Sequence, residues 1–239
     1  KRDGALVGVI RPGETVSRIG PAPRQRLVRE HRLRLVDGQL RANLPQALEY
    51  DTEYVATAEV RLVRGADFAG ARWAFRTTPH RPVGDSITVA STGRANFRTV
   101  QGALDYAMSL PRALPLTVNV RDGVYPELLY LRDKDRLTLR GASREATIIR
   151  ATNSDTLNPG SGSGQAPQEP GLLGGRALFL AQDSDLLELR DIALHNSTLR
   201  SDGHSPQAET LFFNSPDGHL AVRNAHFSSE QDTLQLKGY

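Results

Sequence analysis

The chain contains no cysteine. That absence excludes a disulfide framework, a thiolate-bound zinc or iron–sulfur centre, and a thiol nucleophile. Also missing is any run of roughly 18 to 20 consecutive apolar residues, the length that a membrane-spanning helix needs. The start, Lys1-Arg2-Asp3-Gly4, leads into no apolar stretch of signal-peptide type, so the opening reads as an excised or mature piece. What is present is a 239-residue chain, 38% hydrophobic and 24% charged. Those values lie in the globular range and allow one or two domains. A cysteine-free chain suits the cytosol, and equally a bacterial exported protein that relies on its core.

The net charge of +3 is unevenly placed: residues 1–82 carry 15 Lys and Arg against 9 Asp and Glu, and residues 83–239 carry 15 against 18. A basic front third can signal nucleic acid or an acidic polysaccharide. Here Arg24, Arg26, Arg29, Arg32 and Arg34 alternate with apolar Leu27, Val28, Leu33 and Leu35, which predicts the solvated face of strands. Leu33-Arg34-Leu35, the turn Asp37-Gly38 and Leu40-Arg41-Ala42 form a hairpin signal. Tyr54–Val60 and Trp73–Thr77 continue with period two. Short strands at this density predict a small β-sandwich over residues 1–82. The stretch from Leu44 to Thr78, closing on Trp73-Ala74-Phe75-Arg76-Thr77, resembles the end of bacterial Ig-like modules, and Pro79-His80-Arg81-Pro82 reads as a linker.

From Asp85 the pattern changes. Ile87–Ala90 reads as a strand, and Val100, Leu104 and Ala107 mark one face of a helix. Afterwards one form recurs: Leu129-Tyr130-Leu131 with Leu137–Arg140, Leu178-Phe179-Leu180 with Leu187–Arg190, and Leu211-Phe212-Phe213 with Leu220–Arg223. The second and third copies are offset by 33 residues with the same internal spacing of nine. Short strands recurring between polar turns predict a solenoid in which each coil buries its apolar side against the next, a right-handed parallel β-helix over residues 83–239. An antiparallel sandwich is the alternative, but no Asn-Gly or Gly-Gly turn joins the repeat strands. Residues 151–175, with Gly160-Ser161-Gly162-Ser163-Gly164 and several prolines, read as a long loop between coils.

Few residues offer chemistry by spacing alone. The six histidines (31, 80, 195, 204, 219 and 226) form no metal-binding pattern, and no Gly-x-Ser-x-Gly elbow marks a serine nucleophile. Two polar clusters remain, Gln207-Ala208-Glu209-Thr210-Leu211 and Gln231-Asp232-Thr233-Leu234. Gln207 and Gln231 are 24 residues apart, close to one coil, so both amides could converge on one face. Two uncharged N–H donors suit an oxyanion on an ester carbonyl, and a neighbouring carboxylate could move the leaving-group proton. Stacked amide ladders with no catalytic role fit the same spacing.

The order of six short segments narrows the choice. Phe97-Arg98-Thr99-Val100-Gln101-Gly102-Ala103, Gly123-Val124-Tyr125-Pro126-Glu127, Leu139-Arg140-Gly141 with Thr147-Ile148-Ile149, Asp191-Ile192-Ala193-Leu194-His195-Asn196, Gln207-Ala208 and Gln231-Asp232-Thr233-Leu234 together resemble the pectin methylesterase family. The resemblance covers residues 85–239. It implies a parallel β-helix, hydrolysis of the C6 methyl esters of galacturonate units, no metal or cofactor, and methylated pectin as partner, with neither nucleic acid nor a membrane span. By the same resemblance Asp232 is the acid and base, Gln207 and Gln231 hold the oxyanion, and a second aspartate attacks the ester.

Departures from the family pattern qualify this. The nucleophilic Asp and the Arg that orients it find no match before Tyr239, so the β-helix is expected to be incomplete at its C-terminal end, with an exposed edge that could self-associate. Leu173-Gly174-Gly175-Arg176-Ala177 replaces a hydroxyl-bearing segment, which leaves a non-pectin ester or thioester substrate open, as well as binding of acidic polysaccharide without turnover. The family's substrate implies a secreted or periplasmic bacterial protein, with the front module as a spacer.

Overall fold

The structure, a computed structural model, describes residues 6–22, 25–31, 33–36, 39–42, 44, 48–60, 68–78, 80–160, 175–200 and 206–237. The Asp37-Gly38 turn, the stretch from Ser161 to Gly174 and His204 lie outside them. Contacts divide the chain into two units, residues 1–13 with 31–82, and residues 14–30 with 83–239. β1 (Glu14–Ile19) and β2 (Arg26–His31) pair with each other and, up to Glu30, belong with the second unit, which resumes at Val83.

In the first unit β3 (Leu33–Val36) and β4 (Gln39–Ala42) form the expected hairpin, with Val36 opposite Gln39. The strands β5 (Glu53–Val60) and β6 (Phe68–Arg76) pair antiparallel, with Tyr54 stacked on Phe75 at 5.9 Å. Among the described residues these are separate two-stranded sheets.

The second unit is a parallel β-helix. β7 (Ser86–Val89), helix α1 (Val100–Ser109), β8 (Leu116–Val120) and β9 (Gly123–Tyr125) open it. Full coils follow: β10 (Leu129–Arg132), β11 (Arg136–Gly141) and β12 (Thr147–Ala151), then β13 (Phe179–Gln182), β14 (Leu186–Arg190) and β15 (Ala193–Asn196). The last complete coil is β16 (Leu211–Asn214), β17 (His219–Arg223) and β18 (His226–Ser228), and β19 (Leu234–Lys237) begins another. Every described pairing within the three sheets is parallel, in the orders β10-β13-β16-β19, β17-β14-β11-β8-β7 and β18-β15-β12-β9.

Register lines up the core. Ile87, Val118, Leu139, Leu189 and Val222 form one column across the second sheet. Its first four members are at most 1% exposed, each burying on the order of 1.5–3 kcal/mol of apolar side chain. Val222 ends the column at 43% exposure. Aspartate or asparagine supplies the left-handed corners at Asp133, Asp183, Asp191, Asn224 and Asp232, a conformation these short polar side chains tolerate. Gly141 is required by close approach, since a Cβ there would stand 2.1 Å from the Asp191 carbonyl on the next coil.

The repeat read from the sequence is one residue out of step in the first sheet. There Leu211 pairs with Phe179 rather than Leu178, while in the second sheet Leu220 pairs with Leu187 as expected. A one-residue slip exchanges the faces of a strand. Alternation could not reveal it, because both faces of β10 and β13 are buried and the strands read as continuous apolar runs.

Residues 14–30 contribute to that second covered face. Tyr130, Leu180 and Phe212 are at most 4% exposed, and Ile19 and Val28 join the same buried cluster. Gly20, at φ +92°, lies so close to the Tyr130 ring that a Cβ would stand 2.8 Å from it. Arg26, expected on a solvated face, is 2% exposed instead. Its guanidinium donates to the carbonyls of Leu129 (2.7 Å), Leu178 (3.3 Å), Gly175 (2.9 Å) and Ala177. Converging carbonyls at the coil corner compensate the buried charge, and burial pushes its pKa down to about 10.

Candidate active site

The three residues singled out for chemistry lie where coils turn into the first sheet. Gln231 and Asp232 sit between β18 and β19, and Gln207 precedes β16 on the neighbouring coil. Thr233 ties the two turns together, its carbonyl accepting from the Thr210 N–H at 2.9 Å and the Leu211 N–H at 3.2 Å. The Thr210 hydroxyl donates to the Ser228 carbonyl at 2.6 Å.

Gln231 and Asp232 are adjacent in space as well as sequence. The Gln231 Nε2 approaches Asp232 Oδ2 at 3.5 Å, the limit of a hydrogen bond. Ser229 steadies the turn, its hydroxyl donating to the Gln231 carbonyl at 2.8 Å and accepting from the Gln231 N–H at 3.3 Å. Asp232 is exposed and holds φ +51°, so its backbone also serves as a coil corner.

Gln207 is half-buried, and its carbonyl accepts from the Asp155 N–H at 2.9 Å. Leu211 pairs with Leu234, a register of 23 residues. Gln207 and Gln231 are 24 residues apart and precede these paired strands on neighbouring coils.

Glu209 of the Gln207–Leu211 cluster is joined around this turn by residues that carry no signal in the sequence. Glu209, 1% exposed, accepts from Arg176 Nε at 2.8 and 2.9 Å. A buried amide cluster holds the backbone on either side. Asn153 donates to the carbonyls of Gly175 (3.0 Å) and Ala177 (2.8 Å), and Asn196 donates to those of Asn153 (2.8 Å) and Glu209 (3.0 Å). Asn158 links the cluster to β2, donating to the Arg29 carbonyl at 3.1 Å and accepting from its N–H at 2.7 Å. Of the three asparagines only Asn196 falls within a family-like segment; isolated buried asparagines have no periodicity by which to find them.

The opening segments prove to be scaffold. Thr99 caps α1, its hydroxyl accepting from the Gly102 N–H at 3.1 Å. Glu127 accepts from the N–H groups of Val100 (3.0 Å) and Gln101 (2.8 Å), satisfying two otherwise orphaned donors of the helix. Gln101 bridges to β10, accepting from the Tyr130 N–H at 2.7 Å and donating to its carbonyl at 3.1 Å. His195 and His226 stack at 5.2 Å on the third sheet, where burial, then His226 and Arg150, hold the His195 pKa below its ordinary value. Among the described residues no three His, Asp or Glu side chains are grouped to hold a metal ion.

No family model matches the chain. In sequence it is 26% identical over 153 residues to the probable pectinesterase/pectinesterase inhibitor 64 of Arabidopsis thaliana, and spans 63% of its own length but only 23% of that protein. Among solved structures it is similar to the pectin methylesterase from Aspergillus niger in deglycosylated form, at 25% identity, with 65% of this chain and 47% of that one covered and a TM-score of 0.47. It is also similar to a pectin methylesterase in complex with hexasaccharide VII, at 20% identity, with 62% and 44% covered and a TM-score of 0.47.

Proposed function

We propose that the β-helix belongs to a carboxylic ester hydrolase acting on the C6 methyl esters of galacturonate units in pectin, a polymer found outside the cytoplasm. The observation that carries this reading is the turn at 231–233. An amide donor and a carboxylate lie side by side there, and Thr233 fixes them to the coil that bears Gln207. The sequence similarity to a pectinesterase supports the choice of substrate.

In the proposed reaction an aspartate carboxylate adds to the ester carbonyl carbon. Gln207 and Gln231 donate N–H groups to the oxyanion that develops, and preorganised donors of this kind lower a barrier because they need no reorientation during the step. The C–OCH3 bond breaks, methoxide takes the proton of Asp232, and methanol leaves. Asp232, now ionised, accepts a proton from water, and the resulting hydroxide opens the acyl intermediate to give galacturonate and the free nucleophile. The nucleophile has no assignment among residues 1–239.

The test is methanol release from highly methylated pectin, comparing the protein with its Asp232→Asn variant. Asparagine keeps the left-handed backbone of Asp232, so the exchange removes proton transfer without straining the corner. A fall of about 10²-fold or more is expected for loss of a general acid. Unchanged release would remove Asp232 from the mechanism. No release from either protein in a folded sample would reject turnover by the chain.

A further inference from the structure

We infer that the outward face of the sheet β8-β11-β14-β17 is a second polysaccharide site, which holds de-esterified galacturonan through a ladder of arginines. The identity of the polymer rests on the proposed function; the anionic chemistry of the ligand rests on the ladder itself. Arg140, Arg190 and Arg223 are in register on three consecutive strands, so their Cα atoms repeat at about 4.8 Å. That interval is of the same order as the repeat of one sugar along a linear glycan, and a polyuronate presents one carboxylate per sugar.

The face is basic although residues 83–239 are net acidic. Residues 83–239 carry 15 basic against 18 acidic side chains, yet Arg136 joins the ladder at another outward position, and Glu188 is the only acid at an outward position among the described strands of this sheet. Glu188 is shared, meeting Arg190 Nη2 at 2.7 Å and Arg223 Nε at 3.3 Å and accepting from the Thr138 hydroxyl at 3.3 Å. Asp191 reaches Arg140 Nε only at 3.7 Å, from the corner beyond the strand. Like charges opposite one another across strands repel, and two carboxylates leave the four guanidinium groups under-compensated. The Arg140 and Arg223 side chains are 57% and 70% exposed and open to a ligand.

The residue type fits the ligand. A guanidinium presents a planar fork of donors that matches a carboxylate, and 27 of the 30 basic residues of the chain are arginine. A methyl-esterified stretch is neutral and gains nothing from the ladder. The face therefore selects the product of the proposed reaction, so that a polymer could be held by its acid block while its ester block meets the turn at 231–233.

Calorimetric titration of the whole chain with unesterified galacturonan oligosaccharides, against fully methylated oligosaccharides of the same length, tests this. The acid form is expected to bind, with affinity falling as salt rises, and the methylated form is not expected to compete. Replacing all three ladder residues (Arg140→Gln, Arg190→Gln, Arg223→Gln) should weaken binding at least about tenfold. The single Arg223→Gln variant, at an exposed position, should weaken it in the same direction if the triple variant does not fold. Asp232→Asn should bind as the parent does, so binding and methanol release fail independently. Parent-like affinity in a folded ladder variant overturns the inference, as does an equal loss of methylated-oligosaccharide affinity in that variant or equally tight binding of dextran sulfate, which would mark nonspecific charge.

Discussion

Asp105 on α1 illustrates how a single carboxylate is placed against its own ionisation. It is partly buried and accepts from Gln101 Nε2 at 2.8 Å, and desolvation outweighs this hydrogen bond and one from the Gly20 backbone, so its pKa is raised. A carboxyl that binds its proton more tightly when folded contributes stability at pH below its unfolded value of 3.8, and loses that contribution as pH rises through the folded pKa. At neutral pH the ionised group therefore costs stability. Asp105→Asn, which retains an acceptor for Gln101, should raise the melting temperature at pH 7 and lose that advantage at pH 3. Thermal melts across that range check the prediction, and an equal shift at both pH values would assign the gain to packing. Asp232 shows the limit of reading single residues, for the same side chain marks both a chemical motif and a coil corner, and sequence alone does not separate the two.

Elements follow the sequence where one face is solvated and depart from it where both are covered. In the second sheet, Leu137 and Leu139 alternate with exposed or half-exposed Arg136, Thr138 and Arg140, and the strand register there agrees with the repeat spacing. In the first sheet, Tyr130, Leu180 and Phe212 are buried on the second face, and the alternation that would fix the register is lost. The Glu127 carboxylate is legible as a motif residue, but its work is to join β9 to α1. Glu127→Ala removes both acceptors for Val100 and Gln101 and should cost about 2 kcal/mol of stability, read from urea unfolding. Glu127→Gln, with one acceptor oxygen remaining, should cost less. Equal stability of all three proteins would mean that water replaces the cap.

At the scale of the whole molecule the question is what constitutes the folding unit. Segment 14–30 shares its short-strand pattern with the rest of the front third, and nothing in composition separates them, because its attachment depends on one buried arginine and a glycine against Tyr130. The amide cluster extends that attachment toward the candidate site, from Arg29 through Asn158, Asn153 and Asn196 to the Glu209 carbonyl. A fragment beginning at residue 83, where the sequence places the boundary, would uncover Tyr130 and take the Arg26 donor from the Leu129 carbonyl, while Asn153 would still serve those of Gly175 and Ala177. Each buried polar group left unpaired costs on the order of 1–3 kcal/mol, and a domain's whole stability is about 5–15 kcal/mol. Residues 83–239 alone should therefore aggregate or melt without cooperativity, whereas the chain from residue 14 onward should melt cooperatively. Adding a synthetic peptide of residues 14–30 to the short fragment should recover part of that transition. A cooperative melt of the short fragment at the temperature of the longer one would show that the segment is dispensable, and would return the domain boundary to residue 82.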